Sequence, residues 1–313
     1  MVSKGTLVIG GNQTGATGAL TVNSGATLQL GEGSTAGQLA AASAIVNNGT
    51  FSVKRSNAAV QGTDFSAAAI TGSGAFTQAG TGTTTLNASN SYTGLTTVTA
   101  GTLILSGGGV IGNGGVSVNG GEFKVNGTTT SAVNVATGAT VSGSGTVGNL
   151  AIASGGTLSP GNSPGIINTG NFTLAIGANL SMEINGTSAP VAGSNYDQAN
   201  VNGSVSLGGN LTLTLSGSAP TNGNLYFLIN NDGAGAISSS FANVNSGSLS
   251  NNTEFTLGGQ RWFISYAANY NSGIGSTFTG GNDVALYAVP EPATWALLAF
   301  SLTTVMVLRR RRN

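Results

Sequence analysis

The sequence predicts an all-β protein built as a parallel β-solenoid, in which short strands stack coil upon coil. Three observations lead to this prediction. A motif of glycine, one or two small polar residues and a large apolar residue recurs ten times along the chain. Longer and more aromatic runs follow it, and the chain ends in an apolar segment and four arginines. We therefore divide the chain into a solenoid over 1–216, a β cap or small β domain over 217–288, and a terminal segment over 289–313.

The composition limits both the fold and the chemistry. The 313 residues include 52 Gly and only six Pro, and 6% of the residues are charged. Hydrophobic residues make up 39% and recur in short alternating runs, which indicates a buried core rather than low-complexity disorder. The absence of Cys excludes disulfides and thiolate chemistry, and the absence of His removes the commonest general base and metal ligand.

The apolar residues of the repeated motif define its period. Most steps between them are 17 to 23 residues, and two longer steps of 35 and 31 leave room for a missed or inserted coil. The ten positions are Leu7, Leu28, Phe51, Leu86, Leu103, Phe123, Val141, Leu158, Leu180 and Leu211. Each motif predicts a short strand such as Thr102–Leu105, bounded by Gly and Asn turns.

Stacking explains why such short strands are stable. One coil cannot bury its apolar face alone, whereas stacked coils cover each other along an axis. A β-sandwich or barrel with short strands is the alternative fold, and the nearly constant period favours the solenoid. We expect apolar side chains inside the rod and Asn, Thr and aromatic residues outside.

The residues after 217 predict an element that closes the solenoid. Four strand candidates there are longer and more aromatic than the repeats, and Gly258-Gly259 and Gly280-Gly281 mark turns between them. The four candidates are Asn224–Asn230, Glu254–Leu257, Arg261–Ala267 and Asp283–Val289. Because a solenoid needs a cover over its last coil, we interpret these strands as the cap.

The C-terminal segment predicts one short membrane helix. Ala293 to Leu308 contains no charge and would span about 24 Å as a helix, and arginine side chains can reach the remaining distance to the interface. The predicted anchor residues are Trp295, Leu297, Leu298, Phe300, Leu302, Val305, Val307 and Leu308. The basic cluster Arg309, Arg310, Arg311 and Arg312 should stay cytoplasmic, which places the body of the protein outside the inner membrane.

This C-terminal order of motifs resembles the PEP-CTERM sorting signal. Pro290, Glu291 and Pro292 match the signature tripeptide, the segment from Trp295 matches the membrane part, and the arginines match the basic end. The resemblance implies processing by an exosortase near the tripeptide. It also implies an inner-membrane intermediate that is released to the cell surface or extracellular matrix, often in bacteria that make exopolysaccharide.

The body carries a second resemblance. Thr77 to Gly108, with Asn90-Ser-Tyr-Thr-Gly94 at its centre, resembles the autotransporter-associated β-strand repeat. This resemblance implies a right-handed parallel β-helix of the kind found in passenger domains. The first residues already lie inside the repeat pattern and show no secretory signal, so we expect the sequence to be a fragment or to have a mis-assigned start.

No catalytic, cofactor or metal site is predicted. The carboxylates are isolated in the sequence, and two or three of them clustered on one face of the rod would be the sign of a polysaccharide-active enzyme. Gly280–Leu286 resembles half of a calcium-binding nonapeptide repeat, and a plain Gly-Asn-Asp turn is the alternative. Up to Ala288, five basic side chains stand against eight acidic ones, a net charge of −3 that gives no footprint for nucleic acid.

The function predicted is therefore a non-enzymatic, secreted or cell-surface structural or adhesin-like protein. Its expected partners are an exosortase, the membrane through the C-terminal helix, and extracellular or biofilm polysaccharide. The alternative is a ligand-binding solenoid for polysaccharide or ice. An ice-binding face would need threonines in a regular array, and the threonines at 83–85, 96, 97, 99 and 128–130 do not show one position per coil in the sequence.

Overall fold

The structure is a computed structural model that describes residues 1–289 except 187–189, 218, 219, 221, 246, 248 and 272–274. The described residues form short strands joined by turns. The first ten strands are β1 (Gly5–Ile9), β2 (Asn12–Gln13), β3 (Leu20–Val22), β4 (Ala26–Leu30), β5 (Gln38–Leu39), β6 (Ile45–Asn47), β7 (Thr50–Val53), β8 (Ala59–Val60), β9 (Ala75–Gln78) and β10 (Thr83–Leu86). The next ten are β11 (Thr96–Val98), β12 (Thr102–Leu105), β13 (Val116–Val118), β14 (Glu122–Val125), β15 (Val133–Val135), β16 (Thr140–Gly143), β17 (Leu150–Ile152), β18 (Thr157–Pro160), β19 (Ile166–Thr169) and β20 (Phe172–Leu174). The last nine are β21 (Asn179–Gly186), β22 (Gln198–Val201), β23 (Val205–Leu207), β24 (Asn210–Gly217), β25 (Leu225–Asn231), β26 (Asn243–Val244), β27 (Thr253–Leu257), β28 (Gln260–Ala268) and β29 (Asp283–Ala288).

Two long parallel sheets form the body of the protein. Sheet 1 has ten strands in the order β1-β4-β7-β9-β11-β13-β15-β17-β20-β23. Sheet 2 has nine strands, which read in chain order as β8-β10-β12-β14-β16-β18-β21-β24-β26. Neighbours in each sheet come from successive coils and pair in parallel, which confirms the stacked all-β architecture predicted from the repeats. The right-handedness of the coil stays a prediction.

A third, narrower face completes the coils. Single parallel bridges join Ser89, Val110, Thr128, Thr146 and Asn168 from one coil to the next. From β19 onward this face widens into sheet 3, where β19, β22 and β25 pair in parallel. Glycines next to these bridges allow close stacking, because a methyl group on Gly127 or Gly145 would overlap the carbonyl oxygen of the glycine one coil earlier.

The repeated motif marks equivalent positions in sheet 2. Leu103, Phe123, Val141, Leu158, Leu180 and Leu211 lie directly opposite one another in successive strands. Their side chains point into the lumen and are buried. A constant spacing in the chain thus becomes an apolar ladder inside the rod, as the solenoid prediction requires.

The two long steps in the period have different origins. The step of 35 residues contains a copy of the motif that we missed, because Phe76 lies directly opposite Phe51 in sheet 1. Leu7, Leu28 and Phe51 belong to sheet 1, whereas the motif from Leu86 onward lies in sheet 2, so the remainder of that step, from Phe76 to Leu86, is a change of face. The step of 31 residues is one enlarged coil, because Leu180 lies directly opposite Leu211.

Aromatic residues of the solenoid lie inside it, so the expectation that they face outward was wrong. Phe65, Phe51 and Phe76 pack edge to face with ring centroids 5.6 Å apart, and Tyr92 stacks on Phe76 at 6.2 Å. All four rings are fully buried. Each ring buries a large apolar area, and the Tyr92 hydroxyl forms a hydrogen bond with Thr96 Oγ1 at 2.7 Å.

The aromatic strands near the C-terminus close the end of sheet 3. The strands β27, β28 and β29 are antiparallel, and β29 pairs with β25. Trp262 packs on Tyr226, which packs on Tyr196 of the enlarged coil. Parallel pairing also continues past residue 217, since β24 pairs with β26. The division of the chain at that residue stays a prediction.

The segment predicted to be a sorting signal is not among the described residues. The tripeptide Pro290 to Pro292, the anchor residues between Trp295 and Leu308, and the basic cluster Arg309–Arg312 all lie outside them. In the part of the chain that the structure describes, no helix has the length and apolar character needed to cross a membrane.

Candidate ligand-binding groove

The outer face of sheet 2 presents two columns of side chains, because alternate residues of each strand point outward. The first column contains Thr83, Thr102, Glu122, Thr140, Thr157, Asn179, Asn210 and Asn243. The second column contains Thr85, Ile104, Lys124, Ser142, Ser159, Ser181 and Thr212. Most of these residues are small and polar.

The second column forms the floor of an open groove of about 470 Å³, which we call the serine groove. Its floor consists of Lys124, Ser142, Ser159 and Ser181. The segment 160–163 forms one wall, and Glu183 and Thr214 lie at the far end. The lining spans five strands from β14 to β24, or roughly 19 Å at the usual strand spacing of about 4.8 Å.

Hydrogen bonds hold the wall in place. Both oxygens of Asp197 accept backbone N–H groups, from Gly165 at 2.8 Å and from Glu183 at 2.8 Å. Asn162 donates to Asn126 Oδ1 at 2.8 Å, which joins the wall to an earlier coil. Ser163 adopts a left-handed backbone with φ of 75° and donates its hydroxyl to Glu183. A non-glycine residue in this region is strained, so the surrounding contacts must fix the wall.

The charged groups of the groove differ in their environments. Glu122 accepts from the Ser142 hydroxyl, and Glu183 accepts from Ser216 Oγ at 2.7 Å. Lys124 forms no ion pair with any described residue. Burial raises the pKa of Asp197 to about 6, opposed by its two backbone hydrogen bonds and reinforced by the nearby charge of Glu183.

Glu122, Glu183 and Asp197 lie on one face, which is the arrangement that we expected of an enzyme. Their geometry, however, does not suit acid–base catalysis. Glu122 and Glu183 lie three strands apart in sheet 2, so their backbones are at least about 14 Å apart. Carboxyl pairs of glycoside hydrolases lie within about 10 Å of each other. Asp197 is only 3% exposed and both its oxygens bind backbone, so it supports the wall instead of facing a ligand.

The residues proposed as half of a calcium repeat have a structural role. Asp283 is buried, and its two oxygens accept the backbone N–H groups of Asn231 at 2.7 Å and Tyr270 at 2.6 Å. Burial also raises the pKa of this carboxyl. Among the described residues, no three acids lie close enough together to hold a metal ion.

A second depression of about 640 Å³ continues along the first column beyond the serine groove. Asparagine side chains link its successive strands: Asn210 donates to Asn179 at 3.3 Å, and Asn243 donates to Asn210 at 2.9 Å. Neither the serine groove nor this asparagine-lined depression was predicted from the sequence. The signal for the asparagine ladder was present, since an Asn precedes the apolar residue in three successive coils of sheet 2.

Comparison with known proteins identifies the class of these repeats. Residues 76–105, which cover β9 to β12, match the Passenger-associated-transport-repeat family. The match supports the passenger-like repeat predicted over Thr77 to Gly108. The chain is also similar to the adhesin BmaC autotransporter of Brucella suis biovar 1 (strain 1330), with 31% identity over 175 residues. That alignment covers 55% of this chain and 5% of the adhesin, so the chain spans a small part of the relative's length.

Proposed function

We propose that this chain is a non-enzymatic, adhesin-like β-helix protein of the cell surface or extracellular matrix. The observation that carries the proposal is the unbroken stack of parallel coils with a passenger repeat at 76–105. A rod of this kind exposes the same small polar groups many times along its length. Weak contacts repeated along a rigid surface add up to firm attachment through avidity.

The relative supports the same class of function. BmaC is named as an adhesin and an autotransporter, and its similarity to this chain extends over 175 residues. The geometry of the serine groove also favours binding over catalysis, because its acids are too far apart or too buried to act as a pair. We therefore propose extracellular polysaccharide or a neighbouring cell surface as the partner.

We further propose that the C-terminal segment directs the protein to the surface. Pro290, Glu291 and Pro292 would be the processing motif for an exosortase, and Arg309–Arg312 would hold the helix with its end in the cytoplasm. The inner membrane would then hold an intermediate, and the released rod would enter the surface layer or biofilm matrix.

The test is to express the full reading frame, with its native upstream region, in an exosortase-positive host and in an exosortase deletion. The intact mass and cell fraction of the product are measured in both. We expect a surface product that ends near Pro290 in the first host and full-length membrane-retained protein in the second. A tail that persists in both hosts would overturn the sorting proposal, and a rod that never reaches the outside would overturn the surface function itself.

A ligand-binding solenoid is the second candidate, and the serine groove favours it. Binding to ice fits less well than binding to a glycan. Thr140, Thr157 and their neighbours form part of a regular outward array, but Ile104, Glu122 and Lys124 interrupt both columns. A flat and uninterrupted array of hydroxyl groups is what the ice-binding alternative requires.

A further inference from the structure

We propose that the serine groove binds an uncharged glycan chain that lies along the solenoid axis, across the strands of sheet 2. The inference rests on the proposed function and names the site and chemical class of the polysaccharide partner. The ligand is a polymer of neutral sugars, and it binds one face of the rod.

The shape of the groove suits a polymer. It is open and runs across five strands from β14 to β24, and each of the first four strands contributes one outward floor residue. These residues repeat at about 4.8 Å, which is close to the length of one pyranose unit in an extended glycan. The asparagine-lined depression continues the same face, so a longer chain would meet further polar groups.

The groove also contains polar groups that are available to a ligand. Ser159, Ser181 and Lys124 are half-buried and form no side-chain hydrogen bond with the described residues. Sugar hydroxyls both donate and accept, so they can donate to Glu122 and Glu183 and accept from Lys124 and the serines. A wall fixed by Asp197 and Asn162 reduces the entropy lost when the ligand binds.

The charges select against anionic polymers. The ends of the groove carry Glu122 and Glu183, and among the described residues Lys124 is the only cationic one that lines it. A glycan with uronate or sulfate groups would therefore meet net repulsion, as would a nucleic acid. Neutral sugars carry no charge and therefore meet no such repulsion.

Other ligand classes fit the groove less well. An extended peptide binds by pairing with a free sheet edge, and the edge strands β8 and β26 of sheet 2 do not line the groove. The lining residues that the structure describes include no aromatic side chain, so they offer an apolar ligand no pocket and a sugar no stacking platform. We therefore expect weak binding at each groove, which is what a surface protein present in many copies would use.

The test uses the full chain and two matched probes. Cellopentaose is the neutral probe, and a pentasaccharide of β-1,4-linked glucuronate is the same backbone with a carboxylate on each sugar. Binding is measured by NMR titration at low salt for the parent and for Ser159→Ile, which removes a floor hydroxyl and fills the groove. Ser206→Ile is the control, because Ser206 is the half-buried outward residue of β23 in sheet 1. Circular dichroism and thermal melting confirm that both variants fold.

We expect the parent to bind cellopentaose and not the glucuronate probe, and Ser159→Ile to weaken cellopentaose binding by about tenfold or more. Ser206→Ile should bind within about twofold of the parent. The double variant Glu122→Gln/Glu183→Gln should gain affinity for the glucuronate probe. The inference is overturned if cellopentaose fails to bind, if glucuronate binds as tightly, or if Ser159→Ile has no larger effect than its control. None of these results affects the surface function, which the fractionation experiment tests separately.

Discussion

At the scale of single residues, three aspartates of this charge-poor chain act as backbone anchors. Asp64, Asp197 and Asp283 each accept at least one backbone N–H at 2.6–2.8 Å. Asp197 joins Gly165 to Glu183, and Asp283 joins Asn231 to Tyr270, so each carboxylate links two separate segments of the chain. Asp64 binds the nearby Val60, whereas the donors to Asp197 and Asp283 lie at least 13 residues away in the chain, so spacing in the sequence gives no sign of that role.

Removing the cation of the buried ion pair should destabilise the fold. Arg55 is buried beside Asp64, at 2.9 Å from its carboxylate, and a second contact reaches Gly37 O at 3.3 Å. We expect Arg55→Leu to lower the free energy of unfolding by about 1.5–3 kcal/mol, because it removes charged hydrogen bonds and leaves the partly buried Asp64 without its cationic partner. Urea denaturation measures the change. The control is Arg261→Leu, which breaks the exposed pair with Glu254 and should have a much smaller effect. Equal losses in the two variants would contradict the prediction.

The buried carboxyl of Asp197 should make stability depend on pH. Its pKa is about 6 in the folded protein against 3.8 ordinarily, so the folded state holds the proton between these values while the unfolded chain releases it. The free energy of unfolding should therefore fall as pH rises from about 4 to about 6. Asp283, whose pKa is also raised, contributes in the same direction.

Urea midpoints between pH 4 and 7 test this dependence. Asp197→Asn should be less stable overall, because an amide offers one acceptor oxygen for two N–H donors, and its pH slope should be flatter than that of the parent. A variant with the parental slope would show that Asp197 is not the titrating group.

At the scale of the element, glycine sets how closely successive coils can stack. Gly82, Gly101 and Gly121 precede strands of sheet 2 in three successive coils. A methyl group on Gly101 or Gly121 would overlap the carbonyl oxygen of the glycine one coil earlier, and both residues have a left-handed backbone. The glycine of the repeated motif is therefore required by close approach as well as by turn geometry.

We expect Gly101→Ala to lower the free energy of unfolding by about 2 kcal/mol or more, because the backbone must shift or strain to accept the methyl group. The matched control is Gly108→Ala, where the methyl group meets open space. That variant should stay within about 0.5 kcal/mol of the parent. Thermal and urea unfolding of both variants measure the difference, and a neutral Gly101→Ala would refute the role of close stacking.

At the scale of the whole molecule, the antiparallel strands protect one end of sheet 3. The strand β29 covers β25 by pairing with it, and Trp262 of β28 packs on Tyr226 of β25. An unpaired strand with this apolar content would be a template for association with another chain. The cap thus covers β25 and the core beside it, and β27 becomes the edge of the sheet.

A chain that ends at Asn245 should therefore self-associate. We expect larger assemblies in light scattering coupled to size exclusion, because β25 loses its partner β29 and the aromatic cluster around Tyr226 is uncovered. The control is a chain that ends at Val289, which keeps β27 to β29. If the shorter chain elutes and melts like this control, then the three strands are dispensable.

The sequence by itself determined the repeating architecture of this protein. In a parallel solenoid, residues one coil apart in the chain become neighbours, so a local period is enough to predict the contacts from Leu103 to Phe123 and onward to Leu211. Alternation within each strand predicted which side chains enter the lumen. The aromatic residues, which we had expected on the outside, also lie in the lumen.

Only the tertiary structure decided which face each motif joins and where the groove forms. The shift between the sheets after Phe76 and the enlarged coil between Leu180 and Leu211 leave the local pattern almost unchanged. The groove brings together Glu122, Ser163 and Glu183 from different coils. Their meeting depends on the conformation of the turn at 160–163 and on the anchor Asp197. The repeat period determines which residues are neighbours within a ladder. It does not determine how far a turn extends across the following strands.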